Sequence, residues 1–101
     1  MGLSRSGRLR PGRMRLLTMS KAESSALNET TRVFGERVRR RRLELGLSQE
    51  AAAVRCGIHW TQLGKVERGQ RSLRLETIVK IADGLDSDPG ALVGGLPVPG
   101  R

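Results

Sequence analysis

SQEAAAVRCGIHWTQLGKVERG, residues 48–69, is the stretch whose reading decides the fold. Ser48 suits an N-cap, because its hydroxyl can accept one of the four orphan N–H groups of a helix start. Gln49 and Glu50 then fill a first turn, where the helix dipole favours an acid. Ala52, Ala53 and Cys56 share one face of this short helix, and Gly57 ends it. Only Gly57-Ile58-His59 separates it from a second short helix, expected over Trp60–Glu67, with Leu63 and Val66 inward and Gly69 as its stop. Two such helices joined by a tight turn cross steeply, and the small side chains of Ala51, Ala52 and Ala53 would let them approach closely.

Upstream, the periodicity predicts a helix over about 32–45, with Phe34, Val38 and Leu45 on one face and Arg37, Arg40 and Arg41 largely on others. Gly46 is placed to end it, and Leu47 returns the chain to the core. Downstream, Leu75, Ile78, Val79 and Ala82 follow the i, i+3, i+4, i+7 rule and predict an inward stripe on a fourth helix over about 74–83. Gly84 closes that helix, and Asp88-Pro89 begins a short last one as N-cap and N1. The expected fold is all-α, a compact bundle of about five short helices over residues 31–94. Residues 1–30 are expected to form a disordered basic tail, and 95–101 a flexible C-terminal tail rich in Gly and Pro.

Composition supports this. Phe34 and Trp60 are the only aromatic residues, so Leu, Ile, Val and Ala must build the core. Nineteen Lys and Arg against ten Asp and Glu give a net charge of +9, which favours a polyanionic partner without choosing among DNA, RNA and anionic lipid. No apolar run approaches the roughly 20 residues of a membrane span, and no signal-peptide pattern is present. Cys56 is the lone cysteine, which excludes an intrachain disulfide and fits a cytoplasmic setting. The Arg-rich stretch 1–18 reads either as an arm that follows DNA or as a dispensable extension, with Met19 an alternative translation start.

Catalytic and metal chemistry find no support. His59, the sole histidine, has neither a nucleophile nor co-ligands in the sequence pattern and suits an N-cap position. Cys56 lacks a second ligand and falls at a buried helix position. Asp83, Asp86 and Asp88 lack the spacing of a calcium loop. A non-enzyme without cofactor or metal is expected.

The residues Phe34-Gly35-Glu36-Arg37-Val38, Arg42, Gly46-Leu47-Ser48-Gln49-Glu50, Ala53, Gly57-Ile58, Val66-Glu67-Arg68-Gly69, Leu75-Glu76-Thr77-Ile78 and Ile81-Ala82 carry a resemblance. Over 33–92 the chain resembles the lambda-repressor/Cro-like helix-turn-helix family, also called the xenobiotic-response-element type. Ala52 stands where that family usually has Leu, and Leu73 where it often has Pro. The second departure is shared with the small controller proteins of restriction-modification systems.

The resemblance implies a transcriptional regulator, most often a repressor, that binds double-stranded DNA as a homodimer on an inverted repeat. It implies base readout by Trp60, Thr61, Gln62 and Lys65. Lys65 has the chemistry for guanine O6 or N7, Gln62 for adenine, and the Thr61 methyl for thymine. Trp60 reads either as an apolar DNA contact or as packing against the preceding helix or a partner subunit. Gln49, Arg68 and Arg71 are expected at phosphates, and Arg42 is expected to pair structurally with Glu67. Dimerisation is expected through the last helices, with Leu85, Leu92, Val93 and Leu96 as candidates. Other uses of the same domain are a restriction-modification controller, an antitoxin that masks a small toxin protein, or a general polyanion binder.

Overall fold

A computed structural model describes residues 26–100, and among them every regular element is a helix. The elements are α1 (Glu29–Glu44), α2 (Gln49–Cys56), α3 (Trp60–Glu67), α4 (Leu75–Gly84) and α5 (Pro89–Val93). The expected Arg-rich arm over 1–18 lies outside the described residues. No described helix is long and apolar enough to cross a membrane.

Helix α1 begins three residues earlier than its apolar spacing indicates. Asn28 and Thr31 form a reciprocal capping box: Asn28 Oδ1 accepts from the Thr31 N–H at 2.9 Å, and Thr31 Oγ1 from the Asn28 N–H at 3.3 Å. The start is also docked, because Leu27 N–H and the Thr31 hydroxyl both donate to Gly69 O, at 2.9 and 2.8 Å. Residues 26–30 therefore belong to the folded unit. At the other end Leu96 packs against the core, and Thr30 Oγ1 donates to Pro97 O at 2.6 Å.

Helix α1 packs on α3 and α5, α2 on α3 and α4, and α4 on α5. Phe34, Val38, Ala52, Ala53, Cys56, Leu63, Val66, Ile81, Ala82, Leu85 and Leu92 form the core. Ala51 is exposed, so only two of the three alanines mediate the close packing of α2. Two glycines set helix approach. A Cβ on Gly35 would lie 2.6 Å from Glu67 O, and one on Gly84 2.6 Å from the Cys56 backbone. Only hydrogen at those positions lets α1 reach α3 and α4 reach α2.

Helix α4 corrects the expected stripe. Leu75 is 74 % exposed and Val79 48 %, whereas Ile81 and Leu85 are fully buried. The inward set is Ile78, Ile81, Ala82 and Leu85, which obeys the same spacing rule three residues later. The same burial removes Leu85 and Leu92 from any dimer surface, since both are enclosed within one chain.

The arginines of α1 divide by role. Arg41 donates to Leu85 O (3.0 Å) and Asp86 O (2.9 Å) at the end of α4, and Arg37 to Leu92 O (3.0 Å) and Gly94 O (2.7 Å) at the end of α5. Cations at helix C-termini satisfy orphan carbonyls and oppose the negative dipole end. Arg39 and Arg40 are exposed.

Candidate nucleic-acid interface

Helices α2 and α3 are placed by local capping. Ser48 Oγ accepts from the Ala51 N–H at 3.0 Å, and Gly57 ends α2 at φ 72°, a left-handed turn that side chains resist. His59 caps α3: its Nδ1 accepts from the Thr61 N–H at 3.2 Å. Leu63, Gly64, Val66 and Glu67 face inward, which leaves the opposite side of α3 to solvent.

On that outer side the structure gathers Trp60, Thr61, Gln62 and Lys65. Trp60 is 49 % exposed and stacks on His59, with ring centroids 6.0 Å apart and planes 26° from parallel. It does not enter the core. Thr61 is exposed, and its Oγ1 lies 2.7 Å from His59 Nδ1. Gln62 and Lys65 are half-buried, and neither side chain has a partner among the described residues.

Beneath this face sits a buried polar network. Arg42 Nε donates to Glu67 Oε2 at 2.6 Å and its Nη2 to Oε1 at 3.0 Å, while Arg42 Nη1 donates to Leu47 O at 2.9 Å. The two side chains are 10 % and 2 % exposed. The pair therefore ties α1 to the end of α3 with little water present, and its bidentate geometry is the kind that offsets desolvation.

Gln49, at the start of α2, joins the network by donating from Nε2 to Glu67 Oε1 at 3.0 Å. A carboxylate only accepts, so the amide must turn its nitrogen toward Glu67. That uses one amide hydrogen and leaves the other for an outside acceptor. Gln49 and Glu67, expected in separate roles, are joined in the structure. Nothing local signals this contact, because the two residues meet only through the α2–α3 crossing.

Arg68, the C-cap of α3, is exposed and donates from Nε to Gln70 Oε1 at 3.3 Å. Its guanidinium lies over Gly64: a Cβ there would be 3.2 Å from Arg68 Nη1 and 3.6 Å from Gln49 Oε1. Gly64 thereby brings Gln49 and Arg68 to one spot. Arg71 stands on the loop after α3, at the rim of a groove of about 180 Å³ lined by Phe34, Leu73, Ile78, Val93 and Leu96. Cys56 is buried, its thiol donating to Ile81 O at 3.6 Å, and burial pushes its pKa up. No group of three or more His, Cys, Asp or Glu side chains suited to a metal occurs among the described residues.

Comparison with known proteins gives a consistent picture. A family model described as helix-turn-helix matches residues 38–92. The control protein C.BamHI of Bacillus amyloliquefaciens is 37 % identical over 67 residues, 65 % of this chain and 83 % of that protein. Among solved structures, the restriction-modification controller protein C.AhdI of Aeromonas hydrophila is 44 % identical with a TM-score of 0.60, covering 61 % of this chain and 94 % of that one. The P22 c2 repressor, solved in complex with a synthetic operator, is 27 % identical with a TM-score of 0.58, covering 62 % and 96 %.

Proposed function

Because the chain belongs to the helix-turn-helix family, of Cro/C1-like type, we propose that it is a sequence-specific transcriptional regulator that binds duplex DNA as a homodimer. The observation that carries this is the solvent side of α3. Its polar side chains Gln62 and Lys65 are unpartnered among the described residues, while its inner side is locked to α1 by the Arg42–Glu67 pair. A rigid helix with unspent donors on one face is what a major groove about 12 Å wide admits.

In this reading Lys65 donates to guanine O6 or N7, Gln62 pairs with adenine, and Trp60 lays an apolar face on a thymine methyl or sugar. The second amide hydrogen of Gln49, together with Arg68 and Arg71, holds phosphates and sets the register of α3. The exposed pair Leu75 and Val79, one turn apart on α4, supplies apolar surface for a second copy. A symmetric dimer would address half-sites roughly 34–36 Å apart.

The similarity to C.BamHI and C.AhdI favours a controller of a restriction-modification system over other regulators with this domain. The test is a selection from random duplex DNA, followed by binding to the DNA upstream of the chain's own gene. An enriched inverted repeat that recurs upstream is the expected result. Lys65→Ala should relax one base position; Arg68→Ala should weaken all sequences and lower the salt slope by about 1, and Gln49→Ala should weaken all sequences with little change in that slope. A selection that returns no motif refutes the proposal.

A further inference from the structure

The sequence marks His59 only as a helix cap, but its ring also meets the Thr61 hydroxyl. Its Nδ1 lies 3.2 Å from the Thr61 backbone nitrogen and 2.7 Å from Thr61 Oγ1. A backbone N–H can only donate, so Nδ1 must be bare and accepting, and the neutral ring carries its proton on Nε2. With Nδ1 bare, an approach of 2.7 Å by Thr61 Oγ1 is attractive only if the hydroxyl donates its own proton to the ring. Both lone pairs of Oγ1 that remain then point away from His59. The Trp60 indole stacks on the same imidazole, with ring centroids 6.0 Å apart.

We propose that His59 holds Thr61 as an acceptor toward the groove, so that Thr61 selects a base presenting an exocyclic amine, adenine N6 or cytosine N4. Guanine O6, guanine N7 and thymine O4 are acceptors and would face lone pair against lone pair, so this reading replaces the thymine contact expected of the Thr61 methyl. His59 is thus a positioning residue for specificity, acting through Thr61. The inference rests on α3 being the reading helix.

Two measurements test it. His59 is the sole histidine, so the ring nitrogen resonances of the free protein are one unambiguous pair. They should report a protonated Nε2 and a bare Nδ1; a proton on Nδ1, or a mixture of tautomers, overturns the proposal. DNA selection then compares the wild type with Thr61→Val, His59→Ala and His59→Asn.

One position of the motif should favour adenine or cytosine, and Thr61→Val should erase that preference, a loss of roughly five- to tenfold, the low end for a base-edge contact. His59→Ala frees the hydroxyl to donate, and guanine and thymine should become tolerated at that same position. His59→Asn, whose amide oxygen can accept both bonds, should restore the wild-type preference and controls for loss of the cap. A wild-type preference that survives Thr61→Val, or guanine or thymine at the Thr61 position, overturns the proposal. A bare Nδ1 with no enriched motif for any variant instead strikes the reading of α3 as the DNA-contacting helix, and the specificity claim falls with it.

Discussion

Glu67→Gln should destabilise this protein by about 3 kcal/mol, in the range for breaking one side of a buried ion pair. In the wild type the two carboxylate oxygens accept three N–H groups, from Arg42 Nε and Nη2 and from Gln49 Nε2. The introduced amide has the same shape but one acceptor oxygen. If its NH₂ takes the Oε2 place, it faces Arg42 Nε; if it takes the Oε1 place, it faces both Arg42 Nη2 and Gln49 Nε2. Each arrangement sets donor against donor and leaves the Arg42 guanidinium buried without a counter-charge, held only by Leu47 O and the one amide oxygen.

For a domain of this size 3 kcal/mol corresponds to a fall of about 12–24 °C in Tm. Urea unfolding followed by circular dichroism, at one fixed protein concentration, should show a lower midpoint with an unchanged slope. Arg42→Met combined with Glu67→Leu removes both charges and should recover most of the loss. A Glu67→Gln protein within about 1 kcal/mol of the wild type would show that the pair is not desolvated, and the reasoning would fail.

Four further outcomes are expected. Gly35→Ala should cost about 3 kcal/mol or more, since backbone carbonyls of Val66 and Glu67 occupy the place of the new methyl and α1 must back away from α3; thermal melts give the figure. Leu85→Ala should cost about 2–5 kcal/mol through a cavity, while Leu75→Ala stays within about 0.5 kcal/mol at concentrations where the chain is monomeric. If Leu75 and Val79 form the dimer surface, Leu75→Asp should shift sedimentation equilibrium toward monomer. Burial raises the Cys56 pKa, so its contribution to stability is intact below the thiol's unfolded pKa. That contribution is lost as alkaline pH ionises the unfolded thiol, and Cys56→Ala should flatten this decline in denaturation curves above about pH 8.5.

Helix boundaries were legible because the chemistry that sets them is local. Ser48, His59, Gly57 and Gly69 act on backbone groups within a few residues, and any reader of the chain can place α2 and α3 from them. The missed start of α1 is the exception that supports the rule: the Asn28–Thr31 box is local too, but it lies ahead of the apolar spacing that drew the boundary. The buried Arg42–Glu67 pair followed from family resemblance, not from spacing, since 25 residues separate its partners.

By itself, then, the sequence determined the number, order and ends of the helices around residues 48–69, and which side of α3 faces outward. Tertiary structure alone decided the rest. Helix α4 carries two overlapping stripes of identical spacing, 75/78/79/82 and 78/81/82/85, and periodicity cannot choose between them. The choice belongs to α2, whose backbone at Cys56 takes the space beside Gly84 and draws Ile81 and Leu85 inward. The same holds for the arginines of α1 and for Gln49. Their partners are carbonyls and a carboxylate brought near by helix crossings, and the burial that strengthens those bonds exists only once the helices have packed.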